Sequence, residues 1–353
     1  MTVLMGWVVV GCGVMNPEGP DVPAEDAGPR VVDAGSGLPD AGEGPDAGTD
    51  GGGLGGDGGC ARLPVRAVPF TSGTSGPTTW FLARAQAPRG LVLSLHGTNG
   101  SATSVAQNKL EWQVFFGEAL ARNYSVLVPE SEQRTSPRRW DNSPRASNPD
   151  LVRLASLLDD AVASGAMPAG APILVIGMSQ GGGVAPLYGQ LLASRGYPVR
   201  AVAVHSAGPT AVVSNAAYSL LTTFSALQND DIVPVADTLA AADALAARGV
   251  PTERFVKPAS AICPEAFTRI PGVDAEGSRA IFTGLVDAGV LSAAGEVRLA
   301  GSDLDQSSAL PGVPAPFSAF TRAIDEQLQV AGARHAFFGG RAAVTLDFVE
   351  ARR

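Results

Sequence analysis

Ile173-Leu174-Val175-Ile176 runs directly into Gly177-Met178-Ser179-Gln180-Gly181, with Gly182 and Gly183 behind it. The apolar run suits a strand buried on both faces, and Val184 to Ala193 beyond the glycines suits a helix. A strand that becomes a helix over so few residues bends sharply, and side chains flanking the apex would collide. Glycine on both sides relieves that collision. Ser179 stands at the apex with its hydroxyl lifted clear of the sheet, so it is the candidate nucleophile.

Working outward, other short apolar runs recur with room for helices between them: Leu91 to Leu95, Val126 to Val128 and Ala201 to Val204. Thr78 to Arg84 reads as an early strand, and Thr223 to Leu227 and Glu253 to Val256 as two weaker ones. Leu110 to Ala121, Leu151 to Ala163 and Val235 to Ala247 fit amphipathic helices, as does a last one from Arg341 to Ala351. This alternation predicts an α/β fold, a doubly wound and mostly parallel sheet with its site at the strand C-termini.

The G-x-S-x-G turn between strand and helix is similar to the nucleophile turn of α/β-hydrolases. Leu95 is followed by His96-Gly97-Thr98-Asn99-Gly100, which resembles the His-Gly loop of that superfamily. The resemblance implies an oxyanion hole from the amides of Thr98 and Gln180, with His96 bracing the loop. It also implies an acid and a histidine after Ser179. Of three histidines, His96 precedes the nucleophile and His205 precedes any acidic candidate, which leaves His335. Gln228-Asn229-Asp230-Asp231-Ile232-Val233-Pro234 resembles the Asp-x-x-Val-Pro loop of carboxylesterases and dienelactone-hydrolase-like proteins. That register implies Asp230 as the acid, with Asp231 the alternative. Trp140 and Asp141 resemble a Trp-containing loop that lines esterase pockets; ordinary packing is the other reading of Trp140.

The resemblance covers about residues 61 to 258 and 331 to 353 and departs from compact members between Asp230 and His335. The surplus, roughly 259 to 330, carries two helix-like stretches, Ser278 to Ala288 and Phe317 to Val330, and a short strand candidate, Gly295 to Ala300. It reads as a lid at the site's rim or as a structural excursion. A complete triad implies a serine esterase acting on a small-molecule or polymer-derived ester. A peptidase or acyltransferase would use the same groups, and an idle binding protein on this scaffold is the reading from another class.

Hydrophobic residues make up 45% of the 353, enough for a sizeable core. The net charge of −9 sits in residues 16 to 59, where ten acids face Arg30 alone; from Cys60 onward 24 acids balance 24 bases. A neutral domain has no general field for nucleic acid, so none is expected as a partner. Three His and three Cys lie scattered without ligand spacing, and no Gly loop with a Lys cradles phosphate, so neither metal nor cofactor is expected.

Residues 1 to 11 are largely apolar and too short to span a bilayer as a helix, yet they suit a signal core. Val9-Val10-Gly11-Cys12 resembles the lipobox of bacterial lipoproteins, though no Lys or Arg precedes the apolar run. The resemblance implies a lipidated Cys12 and an exported protein held to a bacterial membrane, outer membrane or cell surface, by that anchor alone. Residues 12 to 60, rich in Gly, Pro and Asp, then read as a disordered acidic tether, with the hydrolase domain from 61 to 353. Cys60 and Cys263 remain; an oxidising compartment would join them in a disulfide, and two unrelated thiols are the alternative.

Overall fold

The computed structural model describes residues 64–208, 210–298 and 310–352, all within the unit Thr49–Arg353. The signal-like segment with Cys12, the tether and Cys60 lie outside the described residues. One sheet of eight strands organises the described part: β1 (Thr71–Ser75), β2 (Thr78–Ala83), β3 (Gly90–Leu95), β4 (Tyr124–Pro129), β5 (Ile173–Met178), β6 (Val199–His205), β7 (Leu221–Leu227) and β8 (Thr252–Lys257). Their order across the sheet is β1-β2-β4-β3-β5-β6-β7-β8. The six strands β3 to β8 run parallel, and β1 and β2 form an antiparallel edge against β4. From β3 the chain moves outward to β4 and then returns to β5 on β3's other side. That reversal opens a crevice at the C-terminal ends of β3 and β5, where an open α/β sheet binds its ligand.

Side chains alternate between two apolar clusters, which is why the runs are apolar throughout. Leu91, Leu93, Leu95, Ile173 and Val175 face α2 (Pro149–Ala163), α3 (Gln180–Ser194) and the helix Val235–Ala247. Val92, Leu174, Ile176, Ala201 and Ala203 face α1 (Leu110–Ala121) and the last helix, Ala342–Glu350. Each fully buried Leu or Ile contributes about 1.5–3 kcal/mol, so both faces specify the register strongly. Asn148 caps α2 by accepting the Leu151 amide at 3.0 Å, with Pro149 at the first helical position.

The segment 259 to 330 builds a third cluster from Phe267, Ile270, Ile281, Leu285, Ile324 and Leu328, with Leu110 of α1 among them. It includes the helices Ala275–Asp287 and Thr321–Ala331. Its contacts converge on the first turn of α1. Glu326 accepts the Leu110 amide at 2.7 Å and the Glu111 amide at 3.3 Å, placing a carboxylate on donors that no helical carbonyl can reach. Arg269 pairs with the fully buried Glu111 at 2.7 Å. These contacts describe a packed annex on α1, the structural excursion of the two readings; they lend the lid no support. The short-strand candidate is reduced to an antiparallel bridge between Leu291 and Val297, with 299 and 300 outside the described residues.

Candidate active site

Ser179 joins β5 to α3 at φ 55° and ψ −127°, a conformation that L side chains rarely adopt. Strain of this kind costs about 1–3 kcal/mol and persists only where the surroundings over-determine it. Here they do. A Cβ on Gly177 would stand 2.3 Å from the Gly181 backbone, and one on Gly181 would stand 2.4 Å from the carbonyls of Leu95 and His96. The Ser179 amide donates to the His205 carbonyl at 2.9 Å, and its carbonyl accepts from Gly183 at 2.8 Å. The turn is thus wedged between β3 and β6 while the serine side chain stays half-exposed.

The loop after β3 meets that apex. A Cβ on Gly97 would lie 3.3 Å from Ser179 Cβ and 3.8 Å from its Oγ. The amide of Thr98 makes no hydrogen bond among the described residues. Gln180 is the first residue of α3, whose leading amides have no helical acceptor. The loop that carries Thr98 and the helix start that carries Gln180 therefore both adjoin the serine.

His96 is fully buried beneath them. Its Nδ1–H donates to the Gly97 carbonyl at 2.8 Å, and Nε2 accepts the Ser131 amide at 3.1 Å. Burial lowers its pKa to about 4, so it is neutral and holds the loop. His205 is buried as well, its ring 4.4 Å from that of Phe337 and its pKa lowered to about 3, mainly by burial.

The third histidine is placed differently. Nδ1 of His335 faces both carboxylate oxygens of Asp230, at 3.0 and 2.9 Å. Asp230 Oδ1 also accepts the amides of Ile232 at 3.0 Å and Val233 at 2.9 Å. The spacing of Asp-x-x-Val thereby acquires a physical meaning: the loop folds back so that its own amides hold the carboxylate. Burial pushes this carboxyl up, but the His335 bond, the imidazole charge and the two amides outweigh it and hold the pKa below the usual value. Asp231, one residue on, is exposed.

One link went unread in the sequence. Asn229 donates through its backbone to the Ala333 carbonyl and through Nδ2 to the Gly332 carbonyl, both at 2.9 Å, which ties the aspartate turn to the histidine turn. Ala333 takes φ 53° there. Trp140 is only 2% exposed. Its indole donates to the His96 carbonyl at 2.8 Å and its ring packs 4.8 Å from the His96 ring, so its bulk braces the loop after β3 from within. A cleft of about 720 Å³ opens beside Thr98 and Gln180, and Trp140 lines it together with Pro149 and polar residues of the segment 132–150, so the indole serves both readings, cleft wall and packing. Among the described residues no three His, Cys, Asp or Glu side chains gather as a metal-ligand set. Cys263 is disulfide-bonded, and the other half of that bond lies outside the described residues.

No family profile matches the sequence, and no curated protein does. Solved structures give the following likenesses. A thermostable esterase is 14% identical over 55% of each chain, with a TM-score of 0.40, so the chain spans little more than half that esterase's length. A ferulic acid esterase is 12% identical over 53% of this chain and 89% of that one, with a TM-score of 0.43. An α/β hydrolase from a Medee basin deep-sea metagenome library is 16% identical over 56% and 84%, with a TM-score of 0.37. Likeness at this level transfers no activity. The parallel sheet with its reversal at β3, the serine turn after β5, and the acid turn after β7 facing a late histidine are together the arrangement of the α/β-hydrolase fold.

Proposed function

We propose that this chain is a serine hydrolase that cleaves a carboxylic ester through Ser179, His335 and Asp230. The observation that carries the reading is the Asp230–His335 contact at 2.9 Å, in a fold that also presents Ser179 on a strained turn. In the proposed reaction Ser179 Oγ attacks the ester carbonyl while His335 takes its proton. Asp230 fixes the tautomer with the proton on Nδ1, leaving Nε2 as the base, and stabilises the imidazolium. The amides of Thr98 and Gln180 stabilise the oxyanion. His335 returns the proton to the departing alcohol, and water then hydrolyses the acyl-enzyme by the same steps in reverse.

An exported, lipid-anchored location through Cys12 belongs to the same proposal. The disulfide at Cys263 supports an oxidising compartment, since such bonds are rare where thiols are kept reduced. With Cys12 lipidated, Cys60 would be its partner. The test of the chemistry is a fluorophosphonate probe followed by peptide mapping, alongside hydrolysis of p-nitrophenyl esters. Labelling confined to Ser179, and loss of both signals in Ser179→Ala, is the expected result. Unchanged hydrolysis by that variant would move the nucleophile elsewhere.

A further inference from the structure

The polar cleft beside the oxyanion hole has one feature that the reaction leaves unused. Its edge is the strap Arg138-Arg139-Trp140, and both residues flanking Arg139 are clamped. The Arg138 carbonyl accepts the Asn99 amide at 2.8 Å, while Arg138 donates its own amide to Asn99 Oδ1 at 3.0 Å and its guanidinium to the Asn99 carbonyl at 2.6 Å. The Trp140 amide donates to Gln180 Oε1 at 3.1 Å, and Gln180 Nε2 donates back to the Trp140 carbonyl at 3.0 Å. Asn99 adjoins one proposed oxyanion donor, and Gln180 is the other. The strap is therefore fixed to both halves of the oxyanion hole, and Arg139 projects from a rigid mount between them.

The charges around the cleft are otherwise committed. Arg134 pairs with Glu130 at 3.0 Å, Arg145 with Asp141 at 3.3 Å and Arg153 with Glu132 at 3.4 Å. Asp150 accepts the amides of Glu132 and Asp141, both at 2.6 Å, and the Tyr188 hydroxyl at 3.2 Å. Arg139 lines the cleft and makes no ion pair or hydrogen bond among the described residues. A guanidinium with five donors and no acceptor, on the cleft that Thr98 and Gln180 also line, suits a planar anion.

We infer that Arg139 is a specificity residue that receives an anionic group of the substrate, in the simplest case the free carboxylate of an ester carrying a second acid. The inference rests on Ser179 being the nucleophile. A mobile arginine would have to be ordered at each binding event. The clamped strap leaves only the exposed side chain of Arg139 to be ordered, from a backbone held in place relative to the proposed oxyanion hole.

The test compares matched esters with the same leaving group or acyl group. Mono-4-nitrophenyl glutarate is set against 4-nitrophenyl butyrate for an anion on the acyl side, and 4-acetoxybenzoate against phenyl acetate for one on the alcohol side. For at least one pair, wild-type kcat/KM should favour the anion, and Arg139→Gln should lower the anionic-to-neutral ratio about tenfold, equivalent to about 1.4 kcal/mol. Arg139→Lys should restore part of that ratio, and added salt should shrink it in the wild type. Ratios unchanged within twofold in Arg139→Gln for both pairs, with fluorophosphonate still labelling Ser179, would overturn the role of Arg139 alone. No labelling of Ser179 in the wild type would overturn the hydrolase reading and this inference with it.

Discussion

Gly97→Ala should separate activity from stability. The methyl it adds would stand 3.3 Å from Ser179 Cβ and 3.4 Å from the Met178 carbonyl oxygen, close enough that neighbours must give by a few tenths of an ångström. Gly97 is not among the glycines with positive φ, so alanine fits its backbone, and the cost to folding should stay near about 1 kcal/mol or below. The cost to chemistry is larger. Attack needs a carbonyl carbon about 3–3.5 Å from Oγ, with its oxygen turned to the two amides. A methyl 3.8 Å from that Oγ borders the same space and should crowd the substrate oxygen away from the Thr98 amide, the proposed oxyanion donor. Loss of one such donor lowers kcat by about 10²–10³-fold. The measurements are p-nitrophenyl acetate hydrolysis and urea unfolding of the same preparation. Gly181→Ala gives the contrast: its methyl meets two backbone carbonyls at 2.4 Å that cannot retreat, so fold and activity should fail together. A Gly97→Ala enzyme within threefold of wild type would refute the placement of the oxyanion hole.

Two further outcomes follow from the site and its support. Asp230→Asn should lower kcat by several powers of ten, because the amide favours the wrong imidazole tautomer, whereas the exposed Asp231→Asn should stay within a few-fold; the reverse order in steady-state assays would shift the acid by one residue. Glu326 has its pKa raised from 4.5 to about 7, by burial first and the nearby Glu111 charge, against the opposing pull of Lys109 and two amides. The folded state then binds the proton more tightly than the unfolded chain, so stability is fully present below about pH 4.5 and falls as pH rises towards 7. The fall is on the order of 2–3 kcal/mol. Chemical unfolding across that range should show Glu326→Gln losing this slope relative to wild type, and parallel pH profiles would count against it.

Much of the fold was legible because its central strands are buried on both faces. Short apolar runs such as Leu91–Leu95, spaced to leave room for helices, suit strands covered on both faces. The edge was not. Thr71–Ser75 reads Thr-Ser-Gly-Thr-Ser, exposed along most of its length, and pairs with β2 through backbone groups that leave no pattern in the side chains. Similarly, β4 begins at Tyr124 rather than Val126, because buried Ser125 donates to the distant Ala166 carbonyl and so tolerates the interior. The serine turn was legible from local sterics, and His335 from the scarcity of histidine. Trp140 was not, since whether an indole walls a pocket or braces a loop depends on partners such as His96, 44 residues away in sequence.

The same long-range logic accounts for a large insertion between two residues proposed to act as a pair. Asp230 and His335 are 105 residues apart. Loop-closure entropy grows only with the logarithm of length, so lengthening a connection of about 25 residues to this size adds roughly 1.2 kcal/mol. The harder problem is to return the chain to one register, and the first turn of α1 solves it from two sides. Glu111 holds the annex through Arg269 at 2.7 Å and Gln327 at 3.2 Å, while its other oxygen accepts the Gly339 amide at 2.8 Å, four residues past His335. Trp112 stacks on Phe337 with ring centroids 3.6 Å apart. The annex and the histidine loop are thus referenced to one buried carboxylate and one aromatic face. Because α1 also packs on β4, the position of the imidazole is set relative to the sheet that carries Ser179, whatever the length of chain in between.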